Sequence, residues 1–194
     1  FNDCKYIIID LPEANALSTY YLGCHYPSKK IYTFNEYLEE GSTVSSDSYE
    51  KYDIFILPPG CNYSEEVQVD YFLNMRSMME MSYNQLDQHF QFIHQRAKTD
   101  AVFANINRFA KATAIYKYPY DDNWDVLESM QSSLNPTVHL LLTKRTNGQI
   151  NIKPIQKHLK ELEVFYKENY NEIYKKAEFK NAADELRANQ MESH

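Results

Sequence analysis

Residues 5–28, KYIIIDLPEANALSTYYLGCHYPS, carry the reading of the fold. Tyr6 to Ile9 is a short β-branched run bounded by Asp10 and Pro12, too short for a helix, which predicts a buried strand. Pro12 stands where the first turn of a helix tolerates proline. Leu17, Tyr20, Tyr21 and Cys24 then recur at helical spacing until Pro27 ends the pattern. The stretch therefore spells strand, tight turn and helix.

The same rhythm continues downstream. Lys30 to Phe34 suggests a further strand, and the Ser- and Glu-rich 35–51 reads as a surface excursion without core. "YDIFILPPG" is an apolar run stopped by Pro58, Pro59 and Gly60, and "VDYFLNM" begins at Val69. Both are expected to be buried parallel strands. At "MSYNQL", Ser82 and Gln85 have the spacing of a reciprocal helix cap, with Met81 and Leu86 as its staple and Leu86, Phe90 and Ile93 as the buried face. "DAVFANIN" and "VHLLLTKR" read as strands, with "YPYDDNWDVLESM" as loop or short helix between them. Alternation of this kind argues for an α/β sheet, mostly parallel, with helices on both faces. After the turn signal "TNGQ", Ile155, Leu159, Leu162 and Tyr166 mark an amphipathic helix. The expected organisation is an α/β domain over 1–147 and a helical extension over 148–194, frayed after about Ala183.

Composition narrows the function. The chain has 194 residues, 43% apolar, and a formal net charge of −7, which supports a real core but offers no basic stripe for nucleic acid. Cys4, Cys24 and Cys61 form neither an even disulfide set nor a metal spacing, so they read as free thiols in a reducing, cytoplasmic setting. No apolar run reaches the roughly 20 residues that a membrane span needs. There are four glycines where average usage gives roughly 14, and no two are close. A local GxGxxG turn is therefore absent. Histidines at metal spacing, a GxSxG elbow and a phosphate-binding loop are absent too.

Asp10 lies at the carboxyl end of a predicted strand and directly before a helix. It can accept the two hydrogen bonds of a ribose diol or cap the helix, and position alone does not choose. His139, inside an apolar strand, reads as a hydrogen-bonded core histidine. Asp121 and Asp122 lack a spaced third ligand, so no metal is assigned.

The strings "YIIIDLPEANALSTYYL", "DIFILPPG", "VDYFLNMRSMMEM", "FANINRF", "YPYDDNW" and "HLLLTKR", in this order from Tyr6 to Arg145, resemble successive landmarks of the sugar O-methyltransferases, a class I S-adenosylmethionine-dependent family. The resemblance implies a Rossmann-like sheet, S-adenosyl-L-methionine as cofactor and a sugar or glycan hydroxyl as acceptor, as in polysaccharide biosynthesis. It implies that Asp10 holds the cofactor ribose beside Pro12 and Glu13, and that Gly60, Cys61 and Asn62 lie near adenine, with Asn35 as an alternative. Asn74 and Arg76 would face the methionine end, although Arg76 also suits a surface ion pair. Glu80 sits where a general base would take the acceptor proton, or else serves the start of the following helix. Asn107, Arg108, Asp121, Asp122, Asn123 and Trp124 combine polar side chains with an aromatic face, as sugar binding requires.

The family's first strand and glycine loop have no counterpart here. Because that strand occupies the middle of the family's sheet, two strand edges are expected to lie open, to be filled by another segment or to close up. The alternative reading is a methyltransferase-like remnant without cofactor that acts as an interaction module through its carboxyl-terminal helix. A nucleotide-sugar dehydrogenase is a third reading, and it too needs the absent glycines. A homo-oligomer is compatible with each.

Overall fold

The computed structural model describes residues 4–146, 148 and 152–191, with side chains described as far as residue 174. The chain divides into two compact units, Phe1–Gln68 and Val69–His194. The carboxyl-terminal helix contributes to the core of the second unit.

In the first unit, β1 (Tyr6–Ile9) runs into α1 (Pro12–His25), followed by β2 (Ile31–Tyr32), α2 (Phe34–Glu39), α3 (Ser46–Lys51) and β3 (Ile54–Leu57). The sheet is parallel, in the order β1-β3-β2, with Ile9 paired to Leu57. Only the central β3 is buried along its whole length; β1 lies at the edge and is half-exposed. Residues 35–51 are not the coreless excursion expected. Thr33 and Glu36 form a reciprocal cap on α2, Ser45 caps α3, and Tyr37 and Val44 are buried. Ser-rich composition suggests loop there, but Thr33 and Ser45 sit at helix starts, where a hydroxyl meets an otherwise orphaned N–H.

The second unit contains β4 (Val69–Met75), a single 3-10 turn (Met78–Glu80), α4 (Tyr83–Arg96), β5 (Ala97–Arg108), a second 3-10 turn (Ile115–Lys117), β6 (Trp124–Gln131), β7 (Val138–Arg145) and α5 (Ile155–Met191). Its sheet runs β4-β5-β7-β6; β4 and β5 are parallel, and β7 is antiparallel to both neighbours. The described strands thus form an α/β fold of one parallel and one mixed sheet, not one mostly parallel sheet. β1 and β4 each stand at a sheet edge.

Two expectations fail here for physical reasons. β6 occupies residues read as loop or helix: Trp124 and Val126 turn inward, and a bulge between Val126 and Glu128 interrupts the alternation that would have signalled a strand. β4 was expected to be buried on both faces. As an edge strand it buries Phe72 but exposes Tyr71, Leu73 and Met75.

The remaining elements follow their patterns. Ser82 Oγ accepts from Gln85 N–H while Gln85 Oε1 accepts from Ser82 N–H, and Leu86, Phe90 and Ile93 are buried. In β7, His139, Leu141, Thr143 and Arg145 alternate with half-buried neighbours, so the strand has one core face. Helices α4 and α5 both pack on that face, through Phe90 against Phe103 and His158 against Ser129 and His139, rather than on opposite faces. Ile155, Leu159, Leu162, Tyr166 and Ile173 join Phe103, Phe109, Trp124 and Leu141 in one core. Each such side chain contributes roughly 1.5–3 kcal/mol on burial. The turn read at 146–149 lies mostly outside the described residues, and α5 continues past Ala183 to Met191.

Candidate functional site at the carboxyl ends of the parallel strands

In an open α/β sheet, side chains that follow the carboxyl ends of adjacent parallel strands converge on one crevice. Each unit has such a pair of strands. In the first unit, Asp10 follows β1 and Pro58 to Gly60 follow β3, and Asp10 N–H donates to the Leu57 carbonyl at 3.4 Å. Asp10 is exposed, and one carboxylate oxygen accepts from Leu11 N–H at 2.8 Å. Leu11 is the residue preceding α1, and its side chain makes no cap. Asp10 therefore does not reach the second or third helical N–H as a capping aspartate does, and among the described residues its other oxygen accepts no hydrogen bond.

Pro12 and Glu13 are exposed in the first turn of α1. Gly60 has φ +88, a conformation that a side chain would strain. Asn62 N–H donates to Tyr37 Oη at 3.0 Å, which anchors the turn after β3. Burial pushes the Cys61 thiol above its ordinary range, so it stays protonated. Asn35 is exposed at the start of α2.

In the second unit, the ends of β4 and β5 carry a network of amides. Asn105 and Asn107 are fully buried on one face of β5. Asn107 Nδ2 donates to Asn74 Oδ1 at 2.9 Å and also to Asn105 Oδ1. Asn107 Oδ1 accepts from Met79 N–H, and Asn74 Oδ1 accepts from Met78 N–H, both at 3.2 Å. Buried amides are costly unless paired, and here their partners are the backbone of the 3-10 turn that ends in Glu80. Asn74 and Asn107, which the sequence assigned to different ligands, are thus in direct contact and position that turn.

Glu80 is half-exposed and ion-paired with Lys111. Arg76 has φ +62, uncommon for a residue other than glycine, and its N–H donates to the Ile106 carbonyl at 2.8 Å. Its side chain is exposed, and among the described residues it makes no ion pair. Arg108 follows Asn107 at the strand end and is half-buried.

The other assigned residues lie apart from this network, in a structural cluster. Arg145, almost fully buried, donates from Nη1 to Asp121 Oδ1 at 2.5 Å, and its guanidinium lies 5.3 Å from the centre of the Trp124 ring. Burial alone would raise the Asp121 carboxyl. Hydrogen bonds from Arg145 and from Asn123 N–H, together with nearby His94, outweigh it and hold the carboxyl below its usual range. Trp124 has no exposed surface, so its ring is core and offers no face for a sugar. Asp122 is exposed and Asn123 half-buried beside this cluster.

Sequence reasoning missed Asn105, Lys111 and Arg145. Only Asn105 had a local signal, its period-two spacing from Asn107 in a predicted strand. The three cysteines are free thiols. Among the described residues, no group of three or more His, Cys, Asp or Glu side chains could hold a metal, and no helix is long and apolar enough to cross a membrane. Comparison with family models and with curated proteins finds no match to this chain.

Proposed function

We propose that the chain serves S-adenosylmethionine-dependent methyl transfer to a sugar hydroxyl, with Asp10 on the cofactor ribose and Glu80 as general base. The observation that carries the reading is Asp10 itself: an exposed carboxylate at the carboxyl end of a parallel strand, with one oxygen not taken by any described N–H. Such a carboxylate fits a ribose diol. The resemblance of the ordered strings from Tyr6 to Arg145 supplies the reaction class.

When bound, S-adenosylmethionine supplies an electrophilic methyl group. The acceptor hydroxyl must lose its proton as its oxygen forms the new bond, and the Glu80 carboxylate takes that proton on exchanging Lys111 for the acceptor. Asn74 and Asn107 act at one remove, by holding the turn on which Glu80 is presented. The alternative, an interaction module built on α5, draws less support, because Ile155, Leu159, Leu162 and Tyr166 are buried in the unit's own core.

Calorimetric titration with S-adenosylhomocysteine tests the reading. Saturable binding is expected, weakened about tenfold or more by Asp10→Ala, as the loss of charge-assisted hydrogen bonds implies. Absence of binding to the unaltered chain would overturn it. Glu80→Gln is expected to leave that binding intact and to slow methyl transfer by about 100-fold or more, followed by transfer of labelled methyl to a sugar acceptor. Unchanged turnover would remove Glu80 as the base.

A further inference from the structure

Outside the candidate site, three side chains from three elements of the second unit form a relay. Ser129 Oγ on β6 lies 2.8 Å from His139 Nε2 on β7 and 2.6 Å from His158 Nε2 on α5. His139 is buried and packs at a tilt against Phe109, with ring centres 4.7 Å apart. Its Nδ1 is buried and has no hydrogen-bond partner. His158 Nδ1 is likewise buried without a hydrogen bond, and lies 3.5 Å from Glu161 Oε2, one turn further along α5, as a charge contact only.

These contacts select one arrangement of protons. If His139 carried its proton on Nδ1, that N–H would be buried without an acceptor, which is costly. The proton therefore sits on Nε2 and is donated to Ser129 Oγ. The serine hydroxyl in turn donates to His158 Nε2, which leaves the His158 proton on Nδ1, where the Glu161 carboxylate attracts it without a hydrogen bond. Each of the two hydrogen bonds of the relay then has one donor and one acceptor, provided that both imidazoles are neutral.

A proton added to His158 breaks the order. Its Nε2 becomes a donor facing the serine, and either the serine O–H or the His139 N–H must lose its acceptor inside the core. A proton added to His139 places a second N–H, on Nδ1, where nothing accepts it. Charging both sets two imidazolium groups against one hydroxyl. The other charged groups that face the relay are Glu161, which favours a charged His158, and Lys153, which opposes it. β6 and β7 contribute Ser129 and His139, and among the described residues no carboxylate, the exposed Glu128 of β6 included, acts on His139.

We propose that this relay is an acid-sensitive latch, which holds the first turns of α5 on the sheet while both histidines are neutral and loosens them when protons enter. Burial, and then the neighbouring His158, pull His139 down to about 4; burial, and then Lys153, lower His158. Histidines held below their ordinary value favour the docked helix in full above roughly pH 6.5. That contribution is lost as the pH falls toward the docked-state values. Loosening uncovers Leu159 and Leu162 before the sheet itself opens.

Hydrogen exchange followed by mass spectrometry at pH 7.5 and 5.0, corrected for intrinsic rates, tests the latch. Opening of the segment 155–166 should increase about tenfold or more on acidification, while β5 amides keep their protection. In the His139→Gln/His158→Gln double variant the difference should shrink to about twofold or less. No acid response in the unaltered chain, an undiminished response in the double variant, or parallel loss in β5 would each overturn the proposal. Should the double variant not fold, imidazole resonances of the unaltered chain decide. Titration midpoints that coincide with the loosening of 155–166 support the latch, and midpoints that differ from it overturn the latch.

Discussion

The two units use the same hydropathic signal and obtain different results from it. In α1, Leu17, Tyr20 and Tyr21 recur at helical spacing yet are 73%, 76% and 58% exposed, and the buried residue of that helix is Asn15. In α4 and α5, Leu86, Phe90, Ile93, Ile155, Leu159 and Leu162 recur in the same way and all are buried. Spacing reports that a helix has an apolar face. It says nothing of whether a surface lies opposite, and that depends on sheet area. The first unit offers α1 a three-stranded sheet whose β1 lies at the edge and whose β2 has two residues. The second offers α4 and α5 four strands of seven to twelve residues, faced in part with aromatic rings.

Substitution should sharpen this contrast. The largest effect is expected from Trp124→Ala, which empties a site with no exposed surface and should cost the second unit about 3–5 kcal/mol. Exchange of β5 and β7 amides would rise while the first unit keeps its protection; simultaneous loss from β1 and β3 would show that the two units unfold as one. Ser82→Ala removes a reciprocal cap and should cost about 1 kcal/mol, seen as a lower denaturation midpoint at unchanged slope. Leu17→Gln in α1 should change stability by less than about 0.5 kcal/mol. A larger loss in the same denaturation experiment would mean that α1 is covered by something not present in the structure.

The legible parts of the site were those set by local chemistry. Asp10 could be placed at a strand end because a β-branched run, a proline and a helical repeat follow one another within 20 residues. The helix start at Ser82 could be placed because its cap is reciprocal over three residues. The link from Asn74 to Asn107 was not legible, since it spans 33 positions and depends on the parallel register of β4 with β5. For the same reason Lys111 was not visible as the partner of Glu80, nor Arg145 as the partner of Asp121. Trp124 illustrates the converse error. Polar neighbours in sequence made it read as part of a binding surface, whereas its strand turns it inward onto Arg145 and Tyr120.

By itself the sequence determined where β1, α1, α4 and β7 begin and which faces of α4 and α5 are apolar, because caps, prolines and side-chain periodicity act within a few residues. It also placed a carboxylate at the end of the first strand. Tertiary structure alone decided that the strands form two sheets, that β4 stands at an edge, and that α5 belongs to the second core. It alone brought Ser129, His139 and His158 into hydrogen-bond contact, since pairing across distant segments is settled by packing, which no local interaction encodes.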